Sequence, residues 1–493
     1  MSSIPRPGSV VEPKPWQTGL APVYIGVFLW VAFFDQIGRR ALPVGGLGWS
    51  LLGAAIAGPV GYLLLFRIPA RWGRQVGGGL SVVSASTFGS KGSALVPGLL
   101  VGIGQVVVFA VAVGYAVDLT FHGLASLRLI DPRVLRPVDY GGATIKPPLV
   151  LATTLFWAVA TTLVSFRFVR WIAYLMQFFP IFPGVLLGAS MLAMLGGLRY
   201  FIPSGVDPVT SQVVTPEVGS PMAFLLTFQW VFAYGALAGL MGADWGAGSL
   251  TDRDVKIGGW LGMGLAPVVI SALALIAIAG HRGSVEESRV ADLSSSSRST
   301  IQELTDPAGL PAAPVDTFRS VLSGGFDRRV SGLMMLVFGL ASLAPAVYAS
   351  FVFGDRFAAI GPGIPKLVWM LMGTFTAWLL IVGEWPDRPE TIFNVLGAVF
   401  APAAGAMAAD YRRQRGVWPG PRAGINPAGL IAWSIGLAIG MAPILANLLG
   451  SGRLAQLRPA ALAAFIAAYL AYEILGACRM ESAPDPSARR ASP

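Results

Sequence analysis

The sequence predicts an all-α polytopic membrane protein of about twelve transmembrane helices. Three observations lead there. Hydrophobic residues make up 54% of the 493-residue chain and charged residues only 12%, against about 25% charged residues in soluble domains. Nearly every long stretch without Lys, Arg, Asp or Glu reaches the roughly 18 residues that cross a bilayer as a helix. Such stretches are too long for barrel strands, which need only about ten alternating residues.

The elements follow in order. The N-terminal "MSSIPRPGSVVEPKPW" is too polar for a cleaved signal peptide, so a first span at 21–38 is expected to be retained. Further spans are predicted at 46–67, 95–117, 148–166, 171–198, 221–246, 257–280, 330–353, 367–384, 391–409, 427–449 and 458–476. Connectors 118–147, 199–220 and 281–329 are long and polar, and the last is rich in Ser, Pro and charge. Two spans are interrupted. The first carries "FFDQIG", and the sixth carries "LAGLMGADWGAGS", with Gly239, Gly242, Gly246 and Gly248 around Asp244. Broken spans at matching places in two halves point to a transporter built on inverted repeats; Gly placed for close helix packing is the plainer alternative. Spans one and six are five apart, which fits two five-helix repeats plus two helices. The division is a tail at 1–20, repeats at 21–200 and 201–415, a final pair at 416–478 and a tail at 479–493.

Orientation comes from the short connectors. "FRIPARWGR", "FRFVR", "TDRDVK" and "YRRQRG" are dense in Arg and Lys, which places them and both termini in the cytoplasm of an inner-membrane protein. Loop 281–329 then lies outside. Arg39 and Arg40 argue the other way. The net charge of +10 sits in these connectors, so nucleic acid is excluded as a partner. One cysteine, Cys478, excludes a disulfide framework, and two histidines, His122 and His281, expected in loops, exclude a His-rich metal centre. No P-loop or GxSxG elbow is present, so an enzyme is not expected.

Four stretches carry a resemblance. They are "ASTFGSKGSALVPGLLVGIGQ" (85–105), "AGLMGADWGAGSLTDRD" from Ala238, "AVYASFVFGDRF" from Ala346 and "NVLGAVFAPAAGAMAADYRRQR" from Asn394. In order along the whole chain they resemble the nucleobase:cation symporter-1 family, nearest to bacterial cytosine permeases. The resemblance implies a LeuT-like fold and a solute site near the midplane between spans one, three, six and eight. It implies import of a cytosine-, purine-, allantoin- or hydantoin-type heterocycle coupled to Na⁺ or H⁺. No cofactor is expected, and a monomer in the lipid bilayer is the expected unit.

Residue by residue, Gln105 and Phe34 match the family pattern, and Phe109, Tyr234 and Gly235 fall at or beside its site. Ser342 matches one of its paired Na⁺-binding hydroxyls, with Ala341 beside it, and is the only candidate metal position. Ala85, Val108, Phe338 and Leu343 stand where the family carries a basic residue, a stacking Trp and asparagines. These departures bear on the substrate, since a heterocycle's polar edges are told apart by the groups that pair with them.

Each candidate has a plainer role. Gln105 could bond a neighbouring helix, Phe34 and Phe109 could simply pack, and Ser342 could bond the carbonyl four residues earlier. Asp244 reads as a helix end or a partner of Arg253, and Asp410 as a boundary pair with Arg412 and Arg413. Asp35 either pairs with Arg39 or takes part in substrate and cation or proton binding. It stands about 21 Å into a core about 30 Å thick, where a lone acid is costly. A transporter of another small polar or cationic solute, or a same-fold sensor or scaffold without transport, is the alternative function.

Overall fold

The computed structural model describes residues 14–18, 20–28, 37–136, 138–140, 143–178, 180–203, 221–294, 318–385, 388–449 and 457–485. Helix α1 is described over Leu20–Phe28. Then come α2 (Leu42–Val76), α3 (Ala94–Ser126), α4 (Pro148–Phe178), α5 (Ile181–Met194) and α6 (Met222–Leu240). A short α7 (Gly242–Ala247) precedes α8 (Asp252–Ser288), α9 (Phe318–Gly325), α10 (Arg328–Ala341) and α11 (Leu343–Ile360). The chain closes with α12 (Lys366–Val382), α13 (Pro389–Arg413), α14 (Pro427–Leu449) and α15 (Ala460–Ala477). A small antiparallel hairpin, Val138–Tyr140 with Ala143–Ile145, sits before α4.

Among the described residues ten helices are long and apolar enough to cross a membrane, with α10 and α11 counted together. Of the twelve expected spans, two fall short: α12 has 17 residues, and α1 is described over nine. The most enclosed spans are α6 and α13, with 89% and 83% of their apolar windows buried, whereas α4, α5 and α14 turn most of their side chains outward. The centre is therefore built from α6 and α13, with α3 against them.

Several boundaries differ from the sequence reading for local reasons. The sixth span breaks at Met241, and the eighth breaks at Ser342 and continues to Ile360. The fifth starts only at Ile181, after Pro180; proline is accepted at a helix start and rejected inside one. The two histidines are helical rather than in loops: His122 lies in α3 and His281 in α8. α3 stays helical at its polar end because Asp118 and His122 pair one turn apart (3.4 Å) and Arg319 of α9 closes over both.

The broken end of the sixth span is held by backbone contact. A Cβ on Gly73 would come within 2.1 Å of the Ala243 carbonyl oxygen, and one on Gly246 within 2.1 Å of that of Ala70. Only glycine lets α7 lie this close across the end of α2.

Candidate solute-binding site

At the break between α6 and α7 lies a small cavity of about 50 Å³, walled by α1, α3, α6, α7 and α11. Its aromatic walls are Tyr24, Tyr234, Trp245 and Tyr348, with Val108 and Gln105 from α3. Trp245 and Tyr348 face each other at 5.4 Å between ring centres, tilted by 30°. Tyr24 donates to the Ala238 carbonyl at 2.8 Å, which fixes α1 against the last turn of α6. Every lining side chain among the described residues is uncharged.

Gln105 is the chemically distinctive member. It is 4% exposed in the apolar α3, and its Nε2 donates only to the soft Met241 sulfur at 3.0 Å. Its Oε1 is buried with no donor among the described residues. A buried acceptor left unpaired costs about 1–3 kcal/mol, so an incoming N–H or O–H would find a ready partner there. The volume is far below the roughly 300 Å³ at which solute pockets begin, so a bound solute requires these side chains to part.

The remaining sequence candidates divide. Tyr234 joins Gln105 at the cavity and also meets Phe393 edge-on at 5.5 Å. Phe109 does not line it; it is fully buried and packs edge-on against Phe353 at 5.8 Å. Gly235 faces α8, where a Cβ would meet the Met263 methyl at 2.7 Å. The Ser342 hydroxyl donates to the Phe338 carbonyl at 3.0 Å, the local back-bond open to any helical serine. Phe34 and Asp35 lie outside the described residues. Tyr24, Trp245 and Tyr348 are additions to the sequence candidates. Trp245 and Tyr348 sit inside two of the stretches that carried the family resemblance, while Tyr24 has no signal beyond its apolar span.

A charged pair lies beside the cavity, outside its lining. Asp244, next to Trp245, does not pair with Arg253. Its Oδ2 accepts from Arg356 Nη2 at 2.7 Å and its Oδ1 from the Leu80 N–H at 3.0 Å. Arg356 also donates to the Ser81 hydroxyl at 2.5 Å. The expected pairing failed because α11 runs beyond 353 to Ile360, which carries Arg356 two turns, or about 12 Å, past Tyr348. Gly79 is required beside this contact, because a Cβ there would lie 2.3 Å from Asp244 Oδ1. Asp410 likewise turns from its expected partners to Arg422, at 3.4 Å, while Arg412 pairs with Glu473 at 2.8 Å. The loop after α13 folds back, which brings Arg422 to Asp410.

Solved structures of known transporters share this fold. Mhp1 in an inward-facing conformation aligns with a TM-score of 0.61 at 18% identity, over 97% of this chain and 96% of its own. Mhp1, a nucleobase-cation-symport-1 family transporter, in a closed conformation with bromovinylhydantoin bound, gives 0.58 at 17% identity over the same shares. The chain has the Mhp1 fold. A Na⁺-coupled sialic acid symporter in a substrate-bound outward-open state also matches, with a TM-score of 0.55 at 11% identity, over 96% of this chain and 91% of its own. No family model and no curated protein matches by sequence.

Proposed function

We propose that the protein is a secondary active transporter that imports a small uncharged nitrogenous heterocycle of the nucleobase or hydantoin type, driven by Na⁺ or H⁺ through alternating access. The observation that carries this reading is the unpaired Oε1 of Gln105 in an aromatic-walled cavity at the break between α6 and α7. A ring N–H would satisfy that acceptor while the ring faces meet Tyr24, Trp245 and Tyr348. One amide among uncharged lining side chains, with Asp244 already neutralised by Arg356, favours a neutral planar ring over a carboxylate or a zwitterion. Mhp1 with its bound hydantoin lends the same direction by likeness of fold.

In this reading the chain is two inverted repeats, 21–200 and 201–415, followed by two helices, with both termini cytoplasmic and a monomer as the working unit. Asp244 and Arg356 then close the cavity on its inner side, among the Arg-dense connectors. Asp35 carries the coupling ion or proton, and Asp35→Asn should insert normally yet lose ion-driven uptake in vesicles.

The test uses purified protein and a panel of cytosine, purines, allantoin and substituted hydantoins. A true solute raises the melting temperature by mass action and accumulates in proteoliposomes under an imposed Na⁺ or proton gradient. Binding without uptake under either gradient would assign the protein to sensing instead. Accumulation of a charged solute alone would overturn the neutral-ring assignment.

A further inference from the structure

Connector 77–93, between α2 and α3, is fastened at both ends. Its first half meets Asp244 and Arg356 through the Leu80 N–H and the Ser81 hydroxyl. Its second half lies along loop 414–426, between α13 and α14. The Arg422 N–H donates to the Ala85 carbonyl at 3.0 Å and the Asn426 N–H to that of Phe88 at 2.8 Å. In return, the N–H groups of Ser90 and Lys91 reach the carbonyls of Arg422 and Gly424, both at 2.8 Å. The Thr87 hydroxyl donates to the fully buried Asp410 at 2.9 Å.

A third layer covers the loop. After α15 the chain runs back as residues 481–485, pairing with 421–423. The Ala423 N–H donates to the Ala483 carbonyl at 3.0 Å, and the Asp485 N–H to the Pro421 carbonyl at 2.9 Å. The Glu481 carboxylate spans two cations, Arg413 at 3.0 Å and Arg422 at 2.9 Å. One buried amide passes through all three layers. Asn426 Oδ1 accepts from the Ser482 N–H at 3.0 Å, and its Nδ2 donates to the Thr87 carbonyl at 2.7 Å. Burial works against the Arg422 charge, but Asp410, Tyr472 and Glu481 outweigh it and raise its pKa above the ordinary guanidinium value.

We infer that residues 481–485 form a strap that holds the inner closure of the cavity shut, acting through loop 414–426 and connector 77–93. The inference rests on the transporter reading, which makes the Asp244–Arg356 contact a closure. The layers differ in how readily they release. Arg422 and Asp410 are 6% and 0% exposed, whereas the strap lies outside them, held by two backbone bonds, the two bonds of Ser482 and the Glu481 carboxylate, whose side chain is 19% exposed. The strap can therefore lift as a unit and leave Arg422 with Asp410. Its release removes the outer support of Asn426 and of the loop strand against which residues 85–91 register. The same connector then holds Asp244 and Arg356 less firmly. The C-terminal segment thus sets how often the inner side opens.

The experiment places a probe in the cavity. Cys478, the single cysteine, is changed to Ser and Val108→Cys is introduced at the cavity wall. A membrane-impermeant maleimide is applied to inside-out and right-side-out vesicles of the full-length protein. The strap variants are Glu481→Gln and a deletion of 481–493, and Asp244→Asn is the comparison. The conservative Glu481→Gln guards against misfolding of the deletion. Inner-side labelling is expected to rise by about fivefold or more in both strap variants, the lower end of ordinary coupling between sites. Unchanged inner-side labelling in the strap variants alongside a rise in Asp244→Asn would overturn the strap and leave the transporter reading standing. A cavity cysteine that labels from neither side in any variant would overturn the transporter reading, and the strap with it.

Discussion

Gln105 and Asn426 are both side-chain amides buried in the same chain, 4% and 0% exposed. Asn426 is saturated: its oxygen takes the Ser482 N–H, and its nitrogen donates to the Thr87 carbonyl and reaches the Tyr472 hydroxyl. Gln105 has one weak sulfur contact and an oxygen without a donor among the described residues. The difference separates two uses of buried polarity. Around Asn426, Arg422 and Asp410 every group is answered, and the result is a junction that joins three chain segments. Around Gln105 one group is left unanswered beside open volume, and the deficit is available to a solute. Of the two amides, the one at the cavity is the one whose valence is unmet.

The largest test of this contrast is on the saturated side. Arg422→Met strands Asp410 in the interior and is expected to cost about 3–5 kcal/mol, read as a fall in melting temperature of the detergent-solubilised protein. Pairing it with Asp410→Leu should recover much of that loss, because the stranded charge goes too. If Arg422→Met is silent, the junction is not a junction. Next comes the unsaturated side. Gln105→Met removes the orphan oxygen at similar volume, so stability should hold or improve. Affinity for an identified solute should fall by about 1–3 kcal/mol, roughly fivefold to 150-fold, as measured by titration. A variant that loses stability while keeping affinity would reverse the roles of the two amides. Asp244→Asn weakens a partly exposed contact, with side chains 30% and 13% exposed. It is expected to shift cavity labelling toward the inner side with little change in melting temperature. The smallest effect belongs to Arg40→Gln. Its 3.5 Å contact with Glu390 is solvent-exposed, and such pairs contribute about 0–1 kcal/mol; a melting curve indistinguishable from the parent is expected.

Much of this was legible in the sequence. Span lengths gave the helical fold, and Gly and Asp inside an apolar run marked where the sixth helix breaks. Gln105 stood out because polarity in an apolar helix is rare enough to be informative. Tyr24 and Tyr348 did not stand out, since an aromatic residue in a membrane helix reads the same whether it faces lipid, a neighbour or a cavity. The partner of Asp244 was hidden for a different reason. It lies 112 residues away and is placed by the length of α11, which apolar periodicity alone underestimates where a helix runs on into polar residues. Asp410 was assigned to the nearest arginines, as local reasoning must, and found its cation only because the loop doubles back.

The glycine crossing of α7 over α2 has a mechanical consequence. With Gly73 and Gly246 bringing main chain against main chain, no side chain stands between the two segments to swing or slide. They behave as a welded corner. In the alternating access proposed above, Asp244 and Trp245 would travel with the end of α2 as one piece. The parting line runs instead along the opposite flank, between this piece and α11. There, the Arg356 guanidinium, the Trp245–Tyr348 ring contact and the layered loops behind them join the two sides.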